Sequence, residues 1–212
     1  FQFWRCRHNA YRGDGAFGQY ALVMPDQDAA LAVTSGMRNM QSVLDRVWDI
    51  LRPAMADSPL PEAPAEQQAL RARCACAAFP VLPGPGRELV LEADSFDVNA
   101  PGVEALRVES NRSSCRLTLR RNGQKEVLEA GFGSRIDNRT RFGCSRLRRM
   151  AASACWRDDD TLEVLAHLYE SPYRLRFLLR REGGRVTFER NANLLFFGLP
   201  EWPLLRGKVR NL

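Results

Sequence analysis

Residues 115–130 read Cys-Arg-Leu-Thr-Leu-Arg-Arg-Asn-Gly-Gln-Lys-Glu-Val-Leu-Glu-Ala. From Arg116 to Arg120 apolar and polar residues alternate, the period of a strand with one apolar and one arginine-bearing face. Asn122-Gly123 supplies the two residues that best tolerate the left-handed backbone of a tight hairpin. The same texture extends in both directions, over residues 87–93, 104–109, 115–121, 125–130, 146–156, 161–169, 173–181, 185–190 and 194–197. The links include Asp158-Asp159-Asp160, Ser171-Pro172 and Gly183-Gly184, too short for crossovers and suited to antiparallel hairpins. Eight or nine such strands in succession predict an antiparallel β-barrel or curved-sheet domain over residues 87–212. Its aromatic residues Phe132, Trp156, Phe177, Phe188, Phe196, Phe197 and Trp202 are expected to be packing.

Upstream the composition changes. Residues 57–86 hold Ser58-Pro59-Leu60-Pro61-Glu62-Ala63-Pro64, an Ala- and Arg-rich stretch over 65–78 that predicts a short helix, and a second cluster of Pro and Gly. This is read as a linker. Residues 1–56 form a different unit. Two apolar runs, 17–25 and 29–35, flank the turn residues Pro25-Asp26-Gln27-Asp28 and predict a hairpin, with residues 1–6 as a preceding strand. Met40, Val43, Leu44, Val47, Trp48 and Leu51 then recur at helical spacing, with Asn39 placed as N-cap and Pro53 at the far end. Three strands and one helix leave a sheet face and two edges in need of partners, and so small a core is marginal alone. The fold class is therefore α+β.

Composition excludes several functions. Hydrophobic residues make up 45% and charged residues 26% of the 212, a globular balance. No apolar run reaches the roughly 18 residues of a membrane helix, so no membrane span is expected. The six cysteines are scattered, there are two histidines, and no Cys-x-x-Cys occurs, so neither a disulfide framework nor a metal site is predicted, and no cofactor is implied. The net charge of +6 resides in residues 85–212 and is carried almost wholly by arginine. Arg135, Arg139, Arg141, Arg146, Arg148 and Arg149 crowd one segment with Asp137 alone against them. Only Phe142 interleaves with them as an aromatic, so a solvated or domain-facing surface is expected rather than nucleic-acid binding.

The glycines of Arg12-Gly13-Asp14-Gly15-Ala16-Phe17-Gly18-Gln19 read as a loop permitting close backbone approach, either a plain turn or a substrate-lining edge. A strand and not a helix follows, which rules out a dinucleotide fingerprint. Residues 15–28, Gly-Ala-Phe-Gly-Gln-Tyr-Ala-Leu-Val-Met-Pro-Asp-Gln-Asp, together with 31–35 and the helix over 40–51, resemble the C-terminal end of the serine β-lactamase-like superfamily. That group includes class C β-lactamases, penicillin-binding peptidases, esterases and aminohexanoate-dimer hydrolases. The resemblance implies that residues 1–56 are the closing antiparallel strands and C-terminal helix of an α/β sandwich. It further implies that the parent protein hydrolyses a small ester or amide through an acyl-serine.

The family nucleophile, the Ser of Ser-x-x-Lys, and its Tyr-x-Asn partner precede this region, so the resemblance places no catalytic residue in this chain. It implies a missing N-terminal catalytic segment as partner, in keeping with a chain that opens on Phe1 in mid-pattern. That segment would set the compartment, bacterial cytoplasm or periplasm. The family's Lys-Thr-Gly strand falls on Ala10-Tyr11-Arg12 in one register and on His8-Asn9-Ala10 in another. Either way the usual Lys is absent, which favours an esterase, amidase or peptidase over a β-lactamase. The candidate substrate-lining residues are His8, Asn9, Tyr11, Arg12 and Gly13, with Arg12 suited to gripping a carboxylate. Residues 167–175, His-Leu-Tyr-Glu-Ser-Pro-Tyr-Arg-Leu, followed by Gly183-Gly184-Arg185-Val186-Thr187-Phe188, are similar in pattern to the lipocalin-like barrel appended to many such hydrolases. The competing reading makes the β domain an independent small-ligand or interaction module.

Overall fold

The computed structural model describes residues 3–96, 102–194 and 202–210. The chain divides into two compact units, Phe1–Pro80 and Val81–Leu212, and is mostly β, with 48% strand and 15% helix.

In the first unit β1 (Phe3–Arg5), β2 (Tyr11–Gly15), β3 (Gln19–Met24) and β4 (Ala29–Val33) form an antiparallel sheet in sequential order. Alternation along β3 places Tyr20, Leu22 and Met24 on one face, all buried. Against them lie Leu44, Val47 and Trp48 of helix α1 (Gln41–Arg46), which runs on through a wider π-type turn, Val47–Leu51, and a tight turn, Arg52–Ala54. The expected loop over residues 12–19 is instead the strand β2 followed by a turn, so the sheet has four strands and not three. Its pairing with β1 and β3 overrides the weak strand propensity of Tyr-Arg-Gly-Asp-Gly. The expected cap also differs. The helix begins after Met40 with no side-chain cap, and Asn39 contributes only its carbonyl, which accepts from Ser42 Oγ. Helix α2 (Pro64–Ala75) buries none of its residues.

The second unit is a closed nine-stranded barrel. Its strands are β5 (Leu89–Asp94), β6 (Val103–Ser110), β7 (Ser114–Arg121), β8 (Gln124–Phe132), β10 (Arg148–Trp156), β11 (Thr161–His167), β12 (Arg174–Glu182), β13 (Arg185–Ala192) and β14 (Leu205–Arg210). β14 pairs with β5 to close the ring. The extra strand β9 (Ile136–Thr140) lies along the first half of β10, beside β8. Because the chain doubles back through β9, β8 and β10 meet in parallel, over only Ser153–Gly131 and Ala154–Phe132. Asn138 fills the seam, accepting from the Glu129 N–H at 2.9 Å and donating to its carbonyl at 2.8 Å. Here one side chain stands in for a missing rung of the ladder.

The Asn122-Gly123 hairpin joins β7 to β8, with both residues at positive φ, 50° and 71°. The strands β9 and β14 were not expected. The strand predicted over residues 194–197 is not seen at Leu194, and residues 195–197, with Phe196 and Phe197, lie outside the described residues. Most inward positions of the barrel strands are apolar, for example Leu117 and Leu119, Leu162 and Val164, Phe177 and Leu179. No helix of the described residues is long and apolar enough to cross a membrane.

Candidate functional site

The residues singled out in the first unit do not converge. His8 and Asn9, at φ 57° and 55°, form the β1–β2 turn, which is closed by the Cys6 N–H donating to the Ala10 carbonyl. A turn therefore replaces the strand position considered for His8. The His8 ring leans on Trp48, with centroids 5.6 Å apart, and Asn9 Nδ2 donates to Asp26 at 2.8 Å. Tyr11 and Arg12 are neighbours on one strand and so face opposite sides of the sheet. Tyr11 lies exposed on the side away from α1, edge-on to Phe3 at 6.3 Å. Arg12 is on the α1 side, directly across from Leu22.

The Arg12 guanidinium is already engaged. Nε donates to Asp14 Oδ1 at 2.6 Å, Nη2 to Oδ2 at 3.2 Å, and Nη1 to Cys6 Sγ at 2.9 Å. The Asp14 hydrogen bond, opposed by partial burial, raises its pKa further. Tyr20, which donates its hydroxyl to the Met40 carbonyl at 3.0 Å, is pushed up by burial. A substrate carboxylate at Arg12 would have to compete with a forked Asp14 contact. Gly13 has no atom within 4 Å of where a Cβ would stand, so the backbone there is open to approach.

One end of the barrel holds polar side chains that the sequence reading passed over. Arg121, Glu126 and Arg190 share the strand parity of the apolar interior residues, and all three point inward. Arg121 Nε donates to Glu126 at 3.0 Å and Nη2 to the Cys144 carbonyl at 2.9 Å. Arg190 donates to the Gly143 carbonyl. Trp202 stacks beneath both guanidinium groups, 5.5 and 5.1 Å from its ring centroid. Burial lowers the Arg190 pKa to about 10 and raises the Cys144 thiol to about 11.

These arginines hold the loop of residues 141–147 in the barrel end. Phe142 is its stopper, fully buried and edge-on to Phe177 at 5.2 Å and to Phe188 at 6.3 Å. The parity of Arg190 with Val186 and Phe188 was the signal available in the sequence.

The barrel also carries an open concavity. A groove of about 550 Å³ is lined by Arg139, Leu147, Arg148, Arg149 and Glu170. Register puts Arg139 of β9 directly opposite Arg149 of β10. Arg149 reaches Glu170 at 3.5 Å and lies 5.4 Å from the Tyr169 ring centroid. Among the described residues no three of His, Cys, Asp and Glu lie together as a metal-holding group. Comparison with protein-family models, with curated proteins and with solved structures finds no match.

Proposed function

We propose that the chain supplies the closing strands and last helix of a β-lactamase-like serine hydrolase, joined by a Pro/Ala-rich linker to an accessory barrel, and that the whole enzyme cleaves an ester or amide through an acyl-serine. The observation that carries the reading is the sheet of the first unit, a run of four antiparallel strands followed by a helix that covers one face only. Its other face presents Phe3 and Tyr11, 63% and 41% exposed. An aromatic pair on a bare sheet face calls for a second layer, the one an α/β sandwich provides.

In this reading the chain's own part in the chemistry is architectural. The β1–β2 turn and the backbone at Gly13 border the site, and the Arg12–Asp14 pair fixes the strand that closes it. The nucleophile and base come from the preceding catalytic segment. The test extends the protein to the coding sequence upstream of Phe1 and treats both forms with a fluorophosphonate. The extended form is expected to label at the serine of a Ser-x-x-Lys and to turn over a chromogenic ester. An extended form that folds but neither labels nor turns over an ester or amide would overturn the assignment. The groove at Arg139 and Arg149 favours a second role for the barrel, that of a ligand-binding module.

A further inference from the structure

Asparagine, then any residue but proline, then serine or threonine is the acceptor pattern of N-linked glycosylation. The chain holds it twice, at Asn111-Arg112-Ser113 and at Asn138-Arg139-Thr140, and the fold treats the two in opposite ways. Asn138 is half-buried in the seam beside β8, and both protons of its amide are used, donated to the Glu129 and Ile136 carbonyls at 2.8 Å each. Thr140 is buried, and its hydroxyl oxygen accepts from the Phe142 N–H at 3.0 Å. That triplet is closed to an enzyme.

Asn111, Arg112 and Ser113 are all exposed and form the tip of the β6–β7 hairpin. Their main chain is pinned. The Asn111 N–H donates to the Ser114 carbonyl at 2.9 Å, the Gly86 N–H to the Arg112 carbonyl at 3.1 Å and the Phe132 N–H to the Ser113 carbonyl at 2.9 Å. The two side chains that the pattern requires already meet. Asn111 Oδ1 accepts from the Ser113 N–H at 2.8 Å, the Ser113 hydroxyl at 2.9 Å and the Ser114 N–H at 2.9 Å. These bonds all fall on Oδ1 and leave both Nδ2 protons to an incoming group. Two residues ahead stands Glu109, its side chain 41% exposed and 3.0 Å from Arg107; the equivalent place before Asn138 holds Ile136.

We propose that Asn111 is an acceptor for N-linked glycosylation by a bacterial transferase of the kind that reads an acid two residues before the asparagine. The donor class is an oligosaccharide carried on a lipid diphosphate. Nδ2 attacks the anomeric carbon of the sugar, and the new N–C bond forms as the bond from that carbon to the diphosphate oxygen breaks. The lipid diphosphate departs with the electron pair, and one Nδ2 proton passes to a base of the transferase. Three donors on Oδ1 draw electron density from the amide and ease the loss of that proton. Glu109 offers a charge to a basic side chain of the enzyme, and Ser113 offers the hydroxyl. Because the tip is held through its main chain, the reaction proceeds on the folded barrel.

The experiment incubates the folded full chain with such a transferase and its lipid-linked donor in detergent, and maps the glycopeptides by mass spectrometry. A peptide of residues 105–117 runs alongside as reference. One glycan per chain is expected, on Asn111, with none on Asn138. Glu109→Gln is expected to slow the reaction about tenfold or more, the loss of one charge-assisted hydrogen bond to the enzyme. Ser113→Ala is expected to abolish it, and Ser113→Thr, which keeps the hydroxyl, to retain it.

A folded chain that stays unmodified overturns the proposal, whether or not the peptide is modified. So does glycosylation of Asn138 at the rate of Asn111, or a Glu109→Gln chain modified as fast as the parent. None of these results bears on fluorophosphonate labelling, so this site and the hydrolase reading stand or fall separately.

Discussion

Replacing Phe142 with alanine is expected to unfold the barrel preferentially. The side chain is fully buried in the barrel end, 5.2 Å from Phe177 and 6.3 Å from Phe188 between ring centroids. Truncating a buried Phe to Ala costs about 3–5 kcal/mol in lost transfer energy and residual cavity. That is a large share of the ~5–15 kcal/mol by which a domain is stable. With a urea slope of ~2 kcal/mol/M, the midpoint for the barrel falls by about 1.5–2.5 M. Urea titration followed by far-UV circular dichroism and by tryptophan emission reads this directly. Trp202, whose ring lies 6.5 Å from Phe188, reports the affected end. Leu147→Ala, in the same loop but 46% exposed, is the control and is expected to move the midpoint little. A Phe142→Ala midpoint within about 0.3 M of the parent, a change of ~0.6 kcal/mol at that slope, would refute the stopper role of the loop.

Glu163 is a second test. Burial alone would raise its pKa, but hydrogen bonds from Arg176 and Arg157 outweigh that and hold the carboxyl below its ordinary value. A depressed carboxylate stabilises the fold above its unfolded pKa, about 4.3, and that contribution is lost as pH falls through the folded value. Glu163→Gln is therefore expected to cost about 1.5–3 kcal/mol at neutral pH and to flatten the acid limb of a stability–pH curve; an unchanged acid limb contradicts it. Gly143→Ala, at φ 68° with a Cβ 2.9 Å from the Phe177 ring, is expected to destabilise more than Gly123→Ala, at φ 71° with open space around it, as thermal melts of the two would show. Burial raises the Cys115 thiol to about 12 and the Cys144 thiol to about 11. Native alkylation near pH 8, mapped by mass spectrometry, is expected to modify exposed Cys74 and Cys76 and to reach Cys115 and Cys144 only after unfolding.

Strand alternation and the Asn122-Gly123 turn made the β7–β8 hairpin legible because both signals are local. β9, Ile-Asp-Asn-Arg-Thr, and β14, Leu-Arg-Gly-Lys-Val-Arg, escaped notice because their polar and glycine residues carry little strand propensity. β9 takes its strand state from pairing with β10, and β14 from β13 and β5. Closure of the ring through β14 and β5 joins residues more than a hundred positions apart, beyond what any window of sequence shows. β2 was hidden by its glycines for the same reason.

The arginine-rich segment was visible as composition. Its opposition of Arg139 to Arg149 was not, because a one-residue change of register would have sent one of them to the other face. His8, Asn9, Tyr11, Arg12 and Gly13 stand out in the sequence only through their resemblance to a family strand. A left-handed turn at His8 and Asn9 depends on contacts with Trp48 and Asp26 that their own sequence does not announce.

The central claim, that this chain completes an acyl-serine hydrolase without holding its nucleophile, is tested most directly by fluorophosphonate labelling of the purified chain beside the upstream-extended form. The account predicts no labelled serine in the chain as it stands and a single labelled serine, upstream of Phe1, in the extended protein. Specific labelling of any serine within residues 1–212 would contradict it.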